Sequence, residues 1–180
     1  IYKMNITILY GGKSGEHEVS LVSAASVARN IDISKHKINL IGITKDGEWY
    51  LQDSEELQRI KLDPTASLKI IQHSQKAVCI NPNGGKKNGL FCNNPLSGAI
   101  ETDVVFPVLH GTYGEDGTIQ GLFEMAALPY CGCNVMASSV TMDKEKTKEV
   151  WQMADLPVVP YITVRKHNFN SEQKIKKTIN

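Results

Sequence analysis

A short β-branched run that ends in paired glycines and leads directly into an alanine-rich stretch leaves few folds open. Residues 5–31, NITILYGGKSGEHEVSLVSAASVARNI, hold such a run from Ile6 to Leu9, followed by Gly11 and Gly12. Beyond them Val22, Ala25, Ala28 or Arg29, and Ile31 recur at helical spacing, so the pattern predicts strand, glycine-rich turn, helix. The small side chains Ala24, Ala25 and Ala28 let that helix lie close to a sheet. A second apolar run from His36 to Ile43 (HKINLIGI) completes a βαβ unit.

Residues 44–100 read as an elaboration of the sheet, with Lys45-Asp46-Gly47 as a hairpin turn. A longer turn, Asn81 to Gly89, joins Ala77–Ile80 to Leu90–Phe91. Asp103 to Leu109 (DVVFPVL) is an unbroken apolar run, expected as a strand covered on both faces despite Pro107. Next, Ile119, Leu122, Phe123, Ala126 and Ala127 mark the apolar face of a helix with Asp116 as its N-cap. Leu128 to Gly132 reads as a further short strand. Asp143 to Ala154 reads as an amphipathic helix with Thr147, Val150, Trp151 and Ala154 on one face, closed by Pro157 and Pro160. Tyr161 to Val164 is expected to begin a new sheet, and Ser171-Glu172 to cap a last helix. The alternation predicts an open α/β domain over residues 4–134, with ligands at the carboxyl ends of its strands. Residues 135–180 are then the beginning of a second domain.

Overall charge narrows the partners. With 20 basic against 19 acidic residues, the formal charge of +1 points to neither nucleic acid nor an anionic membrane. No apolar stretch approaches the ~20 residues of a membrane span, and the N-terminus lacks the apolar core of a signal peptide. A cytoplasmic chain acting on small molecules is the expectation. Of the four cysteines, Cys131 and Cys133 are spaced C-x-C and none has zinc-site spacing; all read as free thiols, with metal binding second.

The loop YGGKSGEHEVS at the end of the first strand invites a phosphate reading. A P-loop ending in Gly12-Lys13-Ser14 needs glycine at position 7, which is Thr7, and a dinucleotide fingerprint through Gly12 and Gly15 needs one where Tyr10 stands. The physical objection is stronger than the mismatch. A helix N-terminus attracts anions, but carboxylates in its first turn, Glu16 and Glu18, satisfy that field and repel phosphate. Such a carboxylate suits a cation, for example the ammonium of an amino acid; alternatively both glutamates only stabilise the helix. A second polar loop, His110-Gly-Thr-Tyr-Gly-Glu-Asp-Gly117, ends the later strand. Two such loops in one small sheet should face a common crevice, bringing Glu16 and His110 to one ligand.

GGKSGEHEVSLVSA, VLHGTYGEDGTIQGLFEMAALPYCG and MASSVTMDKEKTK, in that order, closely resemble three successive motifs of the D-alanine–D-alanine ligases, and GITKDGEWYL resembles their longer-insert form. The family includes D-alanine–D-lactate and D-alanine–D-serine ligases of the same pattern. The resemblance implies an open, mostly parallel Rossmann-like (pre-ATP-grasp) α/β sheet with flanking helices, followed by the start of an ATP-grasp domain. It implies an enzyme that phosphorylates one D-alanine with ATP and Mg (or Mn), then joins a second to the acyl phosphate for peptidoglycan synthesis, commonly as a homodimer. Glu16 matches the catalytic glutamate that holds the first ammonium, and His110 the histidine near the first carboxylate. Lys144 matches a lysine on the ATP side, and Val19 and Ser20 residues lining the first-substrate pocket. The magnesium ligands have no counterpart in these residues, so the 180-residue chain is expected to be inactive alone. A stand-alone amino-acid-binding module is the alternative, and an NAD-binding domain, disfavoured by Tyr10 and Glu16, the third reading.

Overall fold

The computed structural model describes residues 3–94 and 98–165. The chain divides into two compact units, Ile1–Ser139 and Val140–Asn180. The elements run β1 (Asn5–Gly11), α1 (His17–Asn30), β2 (Lys37–Ile43), β3 (Trp49–Leu51) and α2 (Ser54–Leu62). They continue with β4 (Val78–Ile80), α3 (Gly85–Asn88), β5 (Leu90–Cys92), β6 (Val104–Val108), α4 (Thr118–Met125), α5 (Val135–Met142) and α6 (Lys144–Met153). Four strands form one sheet in the order β3-β2-β1-β6, and β4 pairs with β5 apart from it. β1 lies parallel to β2 and to β6, and only β3 is antiparallel. The fold is therefore the open, mostly parallel α/β sheet expected.

Alternation along β1 sends side chains to two cores. Ile8 and Tyr10 pack with Leu40, Val108 and the alanines of α1, while Leu9 joins Ile41, Val105, Phe123 and Leu128 on the opposite side. Ala24, Ala25 and Ala28 are fully buried, as their size predicted, but Val22 is 59% exposed. The buried stripe of α1 instead runs through Ser20, Ala24 and Ala28, because the face against the sheet has room only for small side chains. The hairpin at Gly47 forms as expected, with the Thr44 N–H donating to Glu48 O at 2.8 Å and β4 and β5 pairing antiparallel.

Three expectations change. β6 is an edge strand, and Phe106 on it is 36% exposed, so its apolar run is not covered throughout. Beyond β6 the segment expected as a strand, Leu128–Gly132, makes a single bridge between Val105 and Tyr130. The Val105 N–H donates to Pro129 O at 2.8 Å, and the Cys131 N–H to Val105 O at 2.9 Å. Pro107, two residues on, shares the side of Val105 and turns its missing donor to the open edge, where proline is tolerated. Tyr161–Val164 carries no strand pairing. The proposed cap at Ser171-Glu172 lies outside the described residues.

In the second unit Asp143, expected as the first residue of the helix, is instead the N-cap of α6, with Oδ1 accepting from Glu145 N at 3.0 Å and Lys146 N at 3.1 Å. Thr147 is buried, and its hydroxyl lies 2.9 Å from Val140 O and 2.8 Å from Asp143 O. Three α-helices escaped the sequence reading. α2 has only Leu57 and Ile60 as apolar contacts beside a buried Glu56, α3 is a single helical turn inside the loop expected over Asn81–Gly89, and α5 is apolar without a helical period.

Candidate functional site

The chain passes from β1 to β2 on one side of the sheet and then crosses to β6 on the other. The loops that follow β1 and β6 are thus neighbours at a topological switch point, where open α/β sheets bind ligands. A cavity of about 700 Å³ opens there, walled by Lys13, Trp49, Leu109, His110, Tyr113 and Met125 among others.

The first loop is folded by its glycines and two buried side chains. Gly11 and Gly12 have φ of 89° and 98°, and a Cβ on Gly11 would lie 2.2 Å from Ile43 O. The Gly11 N–H donates to Ser20 Oγ at 2.7 Å, and that hydroxyl in turn donates to Val108 O. Ser20 thereby ties β1, β6 and α1 together. Buried His17 places Nδ1 2.7 Å from Gly12 O, and since a carbonyl only accepts, Nδ1 carries the proton. Val19, by contrast, is 53% exposed on α1.

Glu16 occupies the N-cap position of α1 but makes no side-chain cap hydrogen bond. Among the described residues its carboxylate has no hydrogen-bond or ion-pair partner. Its neighbour Glu18 does: Lys45 stands 2.8 Å away, and its hydrogen bond and charge hold the Glu18 carboxyl below the usual range. Glu18 is thus engaged in an ion pair, whereas Glu16 is not.

The second loop abuts the first at Gly111. A Cβ there would lie 2.8 Å from Glu16 Oε2, and φ is 71°, so both space and backbone call for glycine. Ser14 Oγ donates to His110 O at 2.6 Å, a direct tie between the loops. His110 ends up half-buried, its Nε2 3.3 Å from Ser23 Oγ on α1.

The acidic side chains of the second loop are spent on its own backbone. Glu115 Oε2 accepts from Gly111 N–H at 2.7 Å. Asp116 accepts from Tyr113 N–H at 2.9 Å and Thr118 N–H at 3.0 Å. Burial works against the Asp116 carboxylate, but these N–H donors outweigh it and hold its pKa below the usual range. The expected N-cap is corrected in detail: Gly117, left-handed at φ 92°, takes the cap position, and Asp116 serves Thr118 from one residue earlier. Gln120 Nε2 donates to Gly114 O at 3.0 Å. Ser14 and Glu115 were not singled out from sequence, and His17 was given little weight there. Only the i, i+4 spacing of Gly111 and Glu115 hints at their pairing, since Ser14 and His17 act across turns without periodic signature.

Lys144 belongs to the other compact unit, at the first turn of α6, exposed. No group of three or more His, Cys, Asp or Glu that could hold a metal ion occurs among the described residues.

An open, mostly parallel sheet whose two interlocked loops border a cavity at a switch point has the architecture of an α/β small-molecule-binding domain. Residues 5–133 match the family described as D-ala D-ala ligase N-terminus, and the chain belongs to that family. It is 54% identical over 173 residues to a D-alanine–D-alanine ligase of Treponema denticola, covering 96% of this chain and 46% of that protein. A Thermoanaerobacter sp. D-alanine–D-alanine ligase is 42% identical over 98% of this chain and 47% of its own. Among solved structures, the D-alanine–D-alanine ligase from Coxiella burnetii aligns with a TM-score of 0.77 at 32% identity, over 98% of this chain and 49% of that one. The VanG D-Ala:D-Ser ligase from Enterococcus faecalis aligns at 0.71 and 34%, over 97% and 48%. The chain spans about half the length of the relatives it matches.

Proposed function

We propose that this chain forms the first-substrate side of a D-alanine–D-alanine ligase, an ADP-forming enzyme of peptidoglycan synthesis in the cytoplasm. The observation that carries this reading is the Glu16 carboxylate, unpaired at the start of α1 and set against Gly111 of the opposite loop. Glu16 holds the ammonium of the first D-alanine. His110, fixed through its carbonyl by Ser14 and at its ring by Ser23, meets the carboxylate end, where negative charge grows during acyl transfer. Ser20 contributes by fixing the loop rather than by offering its committed hydroxyl, and Val19 contributes apolar surface from the exposed side of α1.

ATP with Mg or Mn activates the first carboxylate in the full-length enzyme, with Lys144 on the nucleotide side. In this reading the described residues of this chain bind and orient the amino acid, and they contain no group of three or more His, Cys, Asp or Glu to hold that metal. The chain alone is inactive in this reading, and the full-length enzyme works as a homodimer.

Full-length protein given ATP and Mg should release phosphate in proportion to added D-alanine. Phosphate release indifferent to D-alanine would defeat the proposal. Similarity to VanG keeps a second reading open, in which the second substrate is D-serine or D-lactate. Mass analysis of the product with each acceptor supplied together with D-alanine separates the two.

A further inference from the structure

We propose that Cys131-Gly132-Cys133 is a two-thiolate binding site for a soft monovalent cation of the Cu(I) type. Both cysteines are free and exposed, whereas Cys79 is half-buried in β4 and Cys92 is buried in β5. One intervening residue limits the distance between their Cα atoms to about 7 Å. That residue is Gly132 at φ 129°, and no atom lies within 4 Å of where its Cβ would be, so the bend between the thiols is open to solvent.

The bend is anchored at both ends. The Cys131 N–H donates to Val105 O on β6 at 2.9 Å, and Ser138 Oγ donates to Cys133 O at 3.4 Å. Asn134 then accepts from the Ala137 N–H at 2.9 Å at the start of α5. With the backbone tied on either side of the bend, closing the two thiols around an ion orders mainly their own side-chain rotamers.

The donor set selects the ion. Two sulfurs without a third His, Cys, Asp or Glu ligand among the described residues fall short of the four donors of a structural zinc site. They offer nothing to hard oxygen-seeking cations. Thiolates favour Cu(I), for which two sulfurs complete a linear coordination. On binding, both S–H bonds break, two protons pass to solvent and two Cu–S bonds form, with no change of oxidation state.

The test titrates Cu(I), under anaerobic reducing conditions, into full-length protein against the chelator bicinchoninate. One Cu(I) per chain should be withdrawn from the chelator, and Cys131→Ser and Cys133→Ser should each weaken that binding at least about tenfold. Cys79→Ser should leave it unchanged. Since both target side chains are exposed, the serine variants keep the fold, which an unchanged denaturation midpoint verifies. Withdrawal of Cu(I) by the double variant as strong as by the parent, or no withdrawal by the parent, overturns the proposal.

Discussion

Gly11 and Gly111 show how one residue type serves two purposes in the same crevice. At Gly11 an added methyl meets backbone, the Ile43 carbonyl 2.2 Å away, while φ is 89°. The strand end cannot give, and Gly11→Ala is expected to destabilise the fold by about 3 kcal/mol, read as a lower urea midpoint. At Gly111 the obstacle is the far end of a flexible side chain, Glu16 Oε2 at 2.8 Å. Gly111→Ala should cost only the left-handed backbone penalty, about 1–2 kcal/mol. It should, however, push the Glu16 carboxylate aside and raise KM for the first amino acid out of proportion to the stability lost. A Gly111→Ala enzyme with unchanged KM would remove Gly111 from the account of the site.

Among the elements, those whose apolar residues keep a period were legible from sequence. β1, α1, β2, the hairpin at Gly47 and α4 follow directly from Ile6–Leu9, the alanines, His36–Ile43, Lys45–Gly47 and Ile119–Phe123. α2 was not legible because its buried face is partly polar. Glu56 lies inside, accepting from Arg59 Nε at 2.8 Å and from the Lys69 N–H at 2.6 Å. Such a residue counts as surface in any hydrophobic pattern. The strand at Leu128–Gly132 was over-read because β6 pairs with it only at Val105; the next residue on that side, Pro107, has no N–H to donate. The candidate loops were legible as polar, glycine-rich strand ends. What the sequence withheld was the division of labour among their carboxylates, which depends on contacts across turns.

Glu56 also gives α2 a measurable pH signature. Burial opposes its charge, but the Arg59 hydrogen bonds and the Lys69 N–H prevail and hold its pKa below the ordinary 4.5. A carboxyl depressed in the folded state contributes stability above its unfolded pKa, and that contribution fades as pH falls through the folded value. Stability of the parent should therefore decline below about pH 4.5 more steeply than that of Glu56→Gln, as followed by denaturant midpoints between pH 7 and 3. Parallel curves for the two proteins would deny Glu56 this role.

At the scale of the whole molecule, the sheet is a platform that sets two loops face to face, and the chemistry depends on what each loop leaves unspent. The second loop uses Glu115 and Asp116 to hold its own backbone, and the first uses Ser20 and His17. Glu18 is paired with Lys45 at the surface. Glu16 alone of these carboxylates is left for a ligand. The most direct measurement compares Glu16→Gln with Glu18→Gln in the full-length protein, through D-alanine-dependent phosphate release from ATP. Glu16→Gln should lower kcat/KM for the first D-alanine by roughly a hundredfold or more, the scale of losing the charged partner of an ammonium that bound substrate shields from water. Glu18→Gln, which removes only an exposed ion pair, should stay within about twofold. Equal losses from the two substitutions, or none from Glu16→Gln, would contradict the assignment of Glu16 to the substrate ammonium.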